Sequence, residues 1–280
     1  KEKGIKRKVT AAYYAYQIAK EKENVYHSLD SLYTDFSKIA TRRFELGETN
    51  YLEKITAASK QKQINLHYKQ AQKEVINAYT GLLKVVQVEE AIVIASESSI
   101  KAVLTTLDRN AGAEMGYYQN RVSLVQAKRR FEKQKLLPDI SFNYFQGTNS
   151  GLNGNLHGYQ LGLKIPILFG GQSSQIRASK IAEDIAVAES SQYEIQLNAK
   201  YNALKVALTQ LQEALDYYEN EGQRLSEEIL KTANGSFRNG EIDFYQYIQS
   251  IETAYEIKLS HLDKLQEYNQ TSIAINYLTL

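Results

Sequence analysis

The stretch Phe44-Glu-Leu-Gly47-Glu48-Thr-Asn50-Tyr51 decides the fold, because it returns 193 residues later as Phe237-Arg-Asn-Gly240-Glu241-Ile-Asp243-Phe244. In each copy the glycine interrupts a long helical pattern, which is the position of a helix C-cap. A repeat period of 193 is too long for a solenoid. The repeat therefore predicts a duplicated half-molecule with two equivalent helical hairpins.

Residues before each turn, most of them apolar, repeat at the spacing of a coiled-coil seam. The first copy has Val25, Leu29, Leu32, Phe36 and Ile39. The second copy has, at the same offset, Tyr218, Gly222, Leu225, Ile229 and Thr232. The helix after the second turn continues the pattern with Phe244, Ile248, Ile251, Tyr255, Leu262 and Leu265. We therefore expect the helices to pair along these seams.

Long helices are predicted because the chain has only two prolines, Pro138 and Pro166, and proline breaks helix interiors. At about 1.5 Å of rise per residue such helices are too long to enclose one small core, so they must bury their seams on each other and on neighbouring chains. The predicted helices span residues 5–46, about 50 to 108 (with an interruption left open near Gly81), 113–136, 171–238 and about 241 to the C-terminus, with breaks at Gly47, Asp108-Arg-Asn-Ala-Gly112 and Gly240.

Residues 139–168 have a different pattern, in which apolar and polar side chains alternate. Strict alternation indicates strands with two different faces, here over 139–145 and 159–165. The Gly/Asn-rich residues 146–157 between them are predicted to form a long loop. The alternation is compatible with a membrane β-barrel strand pair or with a small β-layer on a helical bundle. The barrel is favoured beside duplicated coiled-coil hairpins.

The composition excludes several classes of function. The formal net charge is +2 and argues against nucleic-acid binding. The absence of cysteine excludes disulfides and thiolate sites. No catalytic motif is present, and the histidines lie outside metal-binding spacing, so neither an enzyme nor a cofactor nor a bound metal is expected. No run of apolar residues is long enough for a transmembrane helix.

The strand hairpin occurs once, and its counterpart in the first copy would precede residue 1. We therefore expect an N-terminal truncation, which also accounts for the lack of a signal peptide. The predicted domains are residues 1–110, a first helical-hairpin repeat without strands, and residues 111–280, a second repeat. The second repeat comprises a helix, the β-hairpin 139–168 and the long helical hairpin 171–280.

The sequence resembles the TolC-like outer-membrane efflux proteins. The resemblance rests on the two tip motifs Arg43–Leu52 and Phe237–Phe244, the helix-to-strand junction Leu136-Leu137-Pro138, and the strand-to-helix junction Ile165-Pro166-Ile-Leu-Phe169-Gly170-Gly171. It implies a mainly α protein in the Gram-negative outer membrane. Its long antiparallel coiled-coil hairpins would build a periplasmic α-barrel, and its β-hairpin would contribute to a trimeric β-barrel. The amino-acid sequence of the second half resembles the branch of the family that works with heavy-metal pumps of the resistance-nodulation-division type.

The resemblance also implies a function and its residues. The function is a passive export duct, a homotrimer working with a periplasmic adaptor and an inner-membrane pump. The implied adaptor-contact residues are Arg43, Gly47, Glu48, Asn50, Arg238, Gly240, Glu241 and Asp243. Where relatives carry acidic residues that constrict the tunnel, this chain has Gln246 and Gln249, so Glu53 joins them as a candidate. The lipid-facing strand residues would be Phe142, Tyr144, Tyr159, Leu161, Leu163 and Ile165. The alternative is a soluble coiled-coil scaffold without membrane insertion.

Overall fold

The computed structural model describes residues 2–94, 100–105, 112–149, 151–165 and 170–278. The chain is mainly α, with one antiparallel strand pair, as predicted. The elements are α1 (Glu2–Glu45), α2 (Tyr51–Val86), α3 (Ala113–Gln134), β1 (Asp139–Asn149), β2 (Leu152–Lys164), α4 (Gly170–Tyr217), a π-helical segment (Tyr218–Gly222), α5 (Gln223–Arg238) and α6 (Phe244–Asn276).

The predicted long helix before Gly240 is present as one helical path through α4, the π-helical segment and α5. The residues at both junctions, Tyr217 and Gln223, keep right-handed helical backbone angles. The π turn widens the helix beside Gly222, which is buried; a Cβ there would lie 3.3 Å from Ile257 Cγ2. The turn therefore brings the backbone of this helix close to α6.

The prediction that the second helix continues toward residue 108 is wrong. Helix α2 ends at Val86, because Gln87 adopts the left-handed conformation (φ 59°) and donates its backbone N–H to Leu83 O. Gly81 lies within the helix and does not interrupt it. Residues 88–94 and 100–105 are not helical. The predicted break at 108–111 lies outside the described residues.

Residues 100–105 leave the helical conformation because α6 binds their backbone. The Asn269 side chain accepts from Ala102 N and donates to Ile100 O, both at 2.7 Å. One heptad further on, the Asn276 side chain accepts from Thr105 N at 2.8 Å and donates to Val103 O at 2.7 Å. These bonds satisfy backbone groups that a helix would otherwise satisfy.

The predicted strand hairpin is confirmed, but the prediction of a long loop at its tip is wrong. Strands β1 and β2 pair from Asp139↔Lys164 to Thr148↔Asn155, and the register shifts only at Asn149. The residues that were predicted as a loop are thus mostly paired strand. Gly and Asn are poor strand formers by propensity, but ladder hydrogen bonds need only the backbone.

The chain divides into two compact units, one formed by residues 1–107 with 200–278 and the other by residues 108–199. In the first unit the buried stripe occupies the same positions in both copies. Leu29, Tyr33 and Ala40 are buried on α1, and Gly222, Ser226 and Ala233 are buried 193 residues later. The seam prediction is wrong at Ile39 and Thr232, which are exposed. All six predicted seam residues of α6 are buried.

Candidate functional site

The two predicted tips close with the same backbone hydrogen bonds. Gly47 and Gly240 both have φ +73°, a left-handed conformation that favours glycine. Glu48 N donates to Arg43 O, and Glu241 N donates to Ser236 O, each at 2.8 Å. The glycine N–H groups also donate, Gly47 N to Phe44 O at 3.0 Å and Gly240 N to Phe237 O at 3.2 Å, which completes the Schellman arrangement of a helix C-terminus. The tips are therefore equivalent in geometry as well as in sequence.

Each return helix also begins with the same kind of cap. Asn50 Oδ1 accepts from Glu53 N at 2.9 Å, and Asp243 Oδ1 accepts from Gln246 N at 2.8 Å. In the second tip Asp243 N donates back to Gln246 Oε1 at 3.1 Å, which completes a capping box. Four of the predicted contact residues, the two glycines and the two caps, thus fix the shape of the tips.

The charged residues at the tips are held by their own turns. Arg43 Nε lies 3.7 Å from Glu48 Oε2. Glu241 accepts from Ser236 Oγ at 2.8 Å and from Asn239 Nδ2 at 3.2 Å, and these hydrogen bonds lower the pKa of its carboxyl below the ordinary value. The Arg238 side chain is exposed on the same tip. Both tips therefore present ionised groups at fixed positions.

The three residues proposed to constrict a tunnel have different surroundings. The Glu53 carboxylate accepts from the Thr49 hydroxyl and from Asn50 Nδ2. Gln246 is engaged in the capping box described above. Gln249 is exposed, and its backbone oxygen accepts from the Thr253 hydroxyl. Two of the three side chains are thus bound within their own turns, and a role in constriction stays a prediction.

An aromatic cluster joins the two tips. The Phe36 ring lies 5.7 Å from Phe237, 4.9 Å from Phe244 and 5.1 Å from Tyr247, and Phe237 stacks on Tyr247 at 4.5 Å. Tyr247 Oη donates to Asn234 Oδ1 at 2.6 Å, and burial raises the pKa of its phenol. Tyr247 was not predicted as a functional residue, because nothing in the sequence separates it from the other tyrosines.

A groove of about 600 Å³ lies between the tips, over this cluster. The Arg43 guanidinium stands 5.9 Å above the Phe237 ring at its edge. Polar and charged side chains from both tips line it, among them Asp35, Arg43, Glu48, Arg238 and Asn239. The first tip also carries exposed apolar side chains: Leu46, Tyr51 and Leu52. The surface suits a protein partner with both apolar and polar contacts.

The predicted lipid-facing residues share one face of the strand hairpin. Ile140 pairs with Leu163, Phe142 with Leu161, and Tyr144 with Tyr159. Tyr159 stacks with Phe142 at 6.0 Å and with Tyr144 at 5.3 Å. On the other face Ser141 pairs with Gly162 and Asn143 with Gln160. All of the predicted apolar residues, with Ile165 just beyond β2, are exposed.

Neither a metal-binding group nor a membrane-spanning helix is present in the described part of the chain. Its acidic and histidine side chains form no group of three that could hold a metal ion. None of its helices combines the length and the apolar character that a bilayer crossing requires.

Comparison with solved structures identifies the fold. The structure of CusC matches with a TM-score of 0.80 at 13% sequence identity, covering 99% of this chain and 68% of that one. The structure of the outer-membrane channel OprN matches with a TM-score of 0.79 at 15% sequence identity, covering 99% of this chain and 66% of that one. The structure of the MtrE outer-membrane channel of Neisseria gonorrhoeae matches with a TM-score of 0.73 at 11% sequence identity, covering 99% of this chain and 66% of that one.

The chain spans about two thirds of the length of these structures. No protein-family model and no curated protein matched the sequence. The chain has the fold of the TolC-like outer-membrane channels, which confirms the resemblance noted in the sequence.

Proposed function

We propose that this chain is a protomer of a passive export duct in the outer membrane of a Gram-negative cell. Three copies would contribute their strand hairpins to a β-barrel and their long helices to a periplasmic α-barrel. A periplasmic adaptor would bind the two tips, and an inner-membrane pump would deliver the cargo. The more specific part of the proposal is association with a resistance-nodulation-division pump of the heavy-metal branch. It rests only on the resemblance of the amino-acid sequence of the second half to that branch.

The strand hairpin carries the proposal. It forms a two-stranded sheet, so one edge of β1 and one edge of β2 have no strand partner among the described residues. Its apolar face is exposed, with Leu161 79% accessible and Tyr159 72%. An isolated hairpin of this kind is marginal in water, and unpaired backbone cannot enter a bilayer. Neighbouring strands from other copies and a lipid boundary satisfy both requirements.

The tips support the adaptor contact. Their backbones are fixed by glycine and capping bonds, their charges are held in place, and the groove between them offers apolar and polar side chains. A preformed surface of this kind loses little conformational entropy on binding. The duct itself needs no catalytic group, and specificity for cargo would reside in the pump.

The experiment is expression of the chain behind a secretory leader in Gram-negative cells, followed by membrane fractionation and cysteine cross-linking. We expect the protein in the outer-membrane fraction as a trimer. A Glu48→Cys or Glu241→Cys variant should cross-link to the cognate adaptor, whereas Lys200→Cys, remote from both tips in sequence, should not. Recovery as a monomer in the soluble fraction would support the coiled-coil scaffold instead.

A further inference from the structure

A group of basic side chains lies beside the base of the strand hairpin, in the second unit. Residues 128–137 and 170–180 together contain seven Lys or Arg and a single acidic residue, Glu132. Their formal charge is +6, whereas the whole chain has only +2. We call the seven residues the basic belt: Lys128, Arg129, Arg130, Lys133, Lys135, Arg177 and Lys180.

The belt lies where the helices meet the strands. Helix α3 ends at Gln134, and β1 begins at Asp139. The Gln172 side-chain amide donates to Glu132 O and to Glu132 Oε2, both at 2.8 Å, so the start of α4 lies against the end of α3. At 1.5 Å of rise per residue, all seven residues fall within about 15 Å of these two helix ends.

Most of the belt is not neutralised by the chain itself. Arg129 pairs with Glu183 at 2.8 Å, and Lys135 pairs with Glu132 at 2.8 Å. The other five are exposed and have no carboxylate partner among the described residues: Lys128, Arg130, Lys133, Arg177 and Lys180. Like charges at this density repel one another, and an anionic partner relieves the repulsion.

Exposed apolar side chains lie within the belt and next to the start of β1. Phe131 is 58% exposed and Leu137 is 64% exposed. Lys135 Nζ lies 4.7 Å from the centre of the Phe131 ring, so a cation and an aromatic face share one patch. Aromatic and basic side chains combine in this way at the boundary between the hydrocarbon and the headgroups of a bilayer.

We propose that the basic belt binds the anionic phospholipid headgroups of the leaflet from which the helices emerge. The inference rests on the proposed function, because it places the hairpin in the bilayer and the belt at its helical end. The charge of the belt is complementary to that leaflet, and Phe131 and Leu137 would enter its outer hydrocarbon layer. The belt thereby sets the depth at which the hairpin is held.

The test compares reconstitution of the full chain into neutral phosphatidylcholine vesicles and into vesicles with about 30% phosphatidylglycerol, at low and high salt. The belt variant is Lys128→Gln/Arg130→Gln/Lys133→Gln. The matched control is Lys62→Gln/Lys69→Gln/Lys73→Gln, which removes three exposed lysines from α2. Protease protection of residues 139–164 reports insertion, flotation reports partitioning, and cross-linking reports the trimer.

We expect the wild-type chain and the control to partition more strongly into anionic vesicles at low salt. The belt variant should lose at least about tenfold of that gain, since each basic residue near an anionic surface contributes about fivefold in partitioning. Equal dependence on phosphatidylglycerol in all three proteins would overturn the inference while leaving insertion, and the proposed function, intact.

Two further outcomes separate the alternatives. Loss of the trimer by the belt variant in neutral vesicles would show that the belt faces another copy of the chain, which also overturns the inference. Competition by inorganic phosphate beyond its effect as a salt would show a site for free phosphate instead of a membrane contact. Belt-dependent flotation without protection of the hairpin would support the lipid contact and contradict the proposed function.

Discussion

The two return helices, α2 and α6, begin in the same way and have different surroundings. Each follows a glycine at φ +73° and starts with a side-chain N-cap. Thirteen residues are buried on α6 and three on α2. Ile248 of α6 is 3% exposed, whereas Ile55, its equivalent on α2, is 42% exposed. The conformation of each turn is therefore determined by its local sequence, whereas the burial of each return helix is determined by the helices that pack against it.

The contacts explain the difference. Helix α6 packs against both α1 and α5, and its first turns join the aromatic cluster around Phe36. Helix α2 packs along α1, partly through polar bonds such as Asn65 Nδ2 to Asp30 Oδ1 at 3.1 Å. Apolar burial stabilises by about 25 cal/mol per Å², so α6 contributes more to the stability of a single copy. The apolar residues that α2 leaves exposed are available to another molecule.

The largest expected effect comes from deleting the same side chain in both helices. We expect Ile248→Ala to lower the free energy of unfolding by about 2–5 kcal/mol, because it leaves a cavity in the core. Ile55→Ala should cost less than about 1 kcal/mol in the monomer, because the side chain is largely in water. Denaturant unfolding in detergent measures both. Equal losses would remove the distinction between the two helices.

The turn glycines should behave alike in both hairpins. Gly47→Ala and Gly240→Ala should each cost about 1–2 kcal/mol, because both residues have φ +73° and nothing else lies near a new Cβ. Gly81→Ala is the control, since Gly81 is inside α2 and alanine should stabilise the helix by up to about 1 kcal/mol. Thermal unfolding of the three variants checks the signs, and a loss at only one tip would contradict the equivalence.

The N-caps provide a smaller test of the same equivalence. Asn50→Ala and Asp243→Ala should each destabilise by about 1 kcal/mol, because each leaves the N–H of its third helical residue without a partner. Asn50→Asp and Asp243→Asn keep the acceptor and serve as matched controls. Hydrogen exchange at Glu53 N and Gln246 N should rise in the alanine variants only; unchanged exchange would mean that the caps are not formed in solution.

The smallest effect concerns pH and is confined to α6. Burial lowers the pKa of His261 from 6.5, with Glu219 opposing and Lys101 reinforcing the shift, and its buried Nε2 has no hydrogen-bond partner among the described residues. The unfolded chain therefore takes up a proton first, and the free energy of unfolding should fall as pH drops below 6.5 and through the lower folded pKa. The equivalent residue of α2 is Tyr68.

Unfolding of wild type and of His261→Gln between about pH 5 and 8 tests this, because glutamine does not titrate in that range. The wild type should lose stability toward acid pH relative to the variant. Parallel profiles would show that His261 is as free to take up a proton in the folded chain as in the unfolded one.

The parts of the fold that the sequence predicted correctly are those with local causes. The bonds that close the tips join residues at most five positions apart, such as Glu48 to Arg43, so the pattern around each glycine is sufficient. The non-helical conformation of residues 100–105 was missed because the side chains that bind their backbone, Asn269 and Asn276, lie about 170 positions away. Periodicity along one helix carries no information about such partners.

In the candidate site, too, the features with local causes were predicted and those that depend on partners elsewhere in the chain were missed. The glycines, caps and alternating strand faces followed from spacing, and each lies where the pattern predicted. The extent of β1 and β2 was missed because a backbone ladder can continue through Gly and Asn once a partner strand is present. Tyr247 was missed because its role depends on stacking with Phe237 across the turn.

The central claim is that the strand hairpin crosses a bilayer with its apolar face toward lipid. The most direct measurement labels Leu161→Cys and Gln160→Cys separately with a fluorophore, in the reconstituted full chain, and compares quenching by spin-labelled lipid and by aqueous iodide. These neighbours lie on opposite faces of β2. We predict that lipid quenches the label at 161 and iodide the label at 160. Iodide quenching at both positions, with none by lipid, would contradict the account.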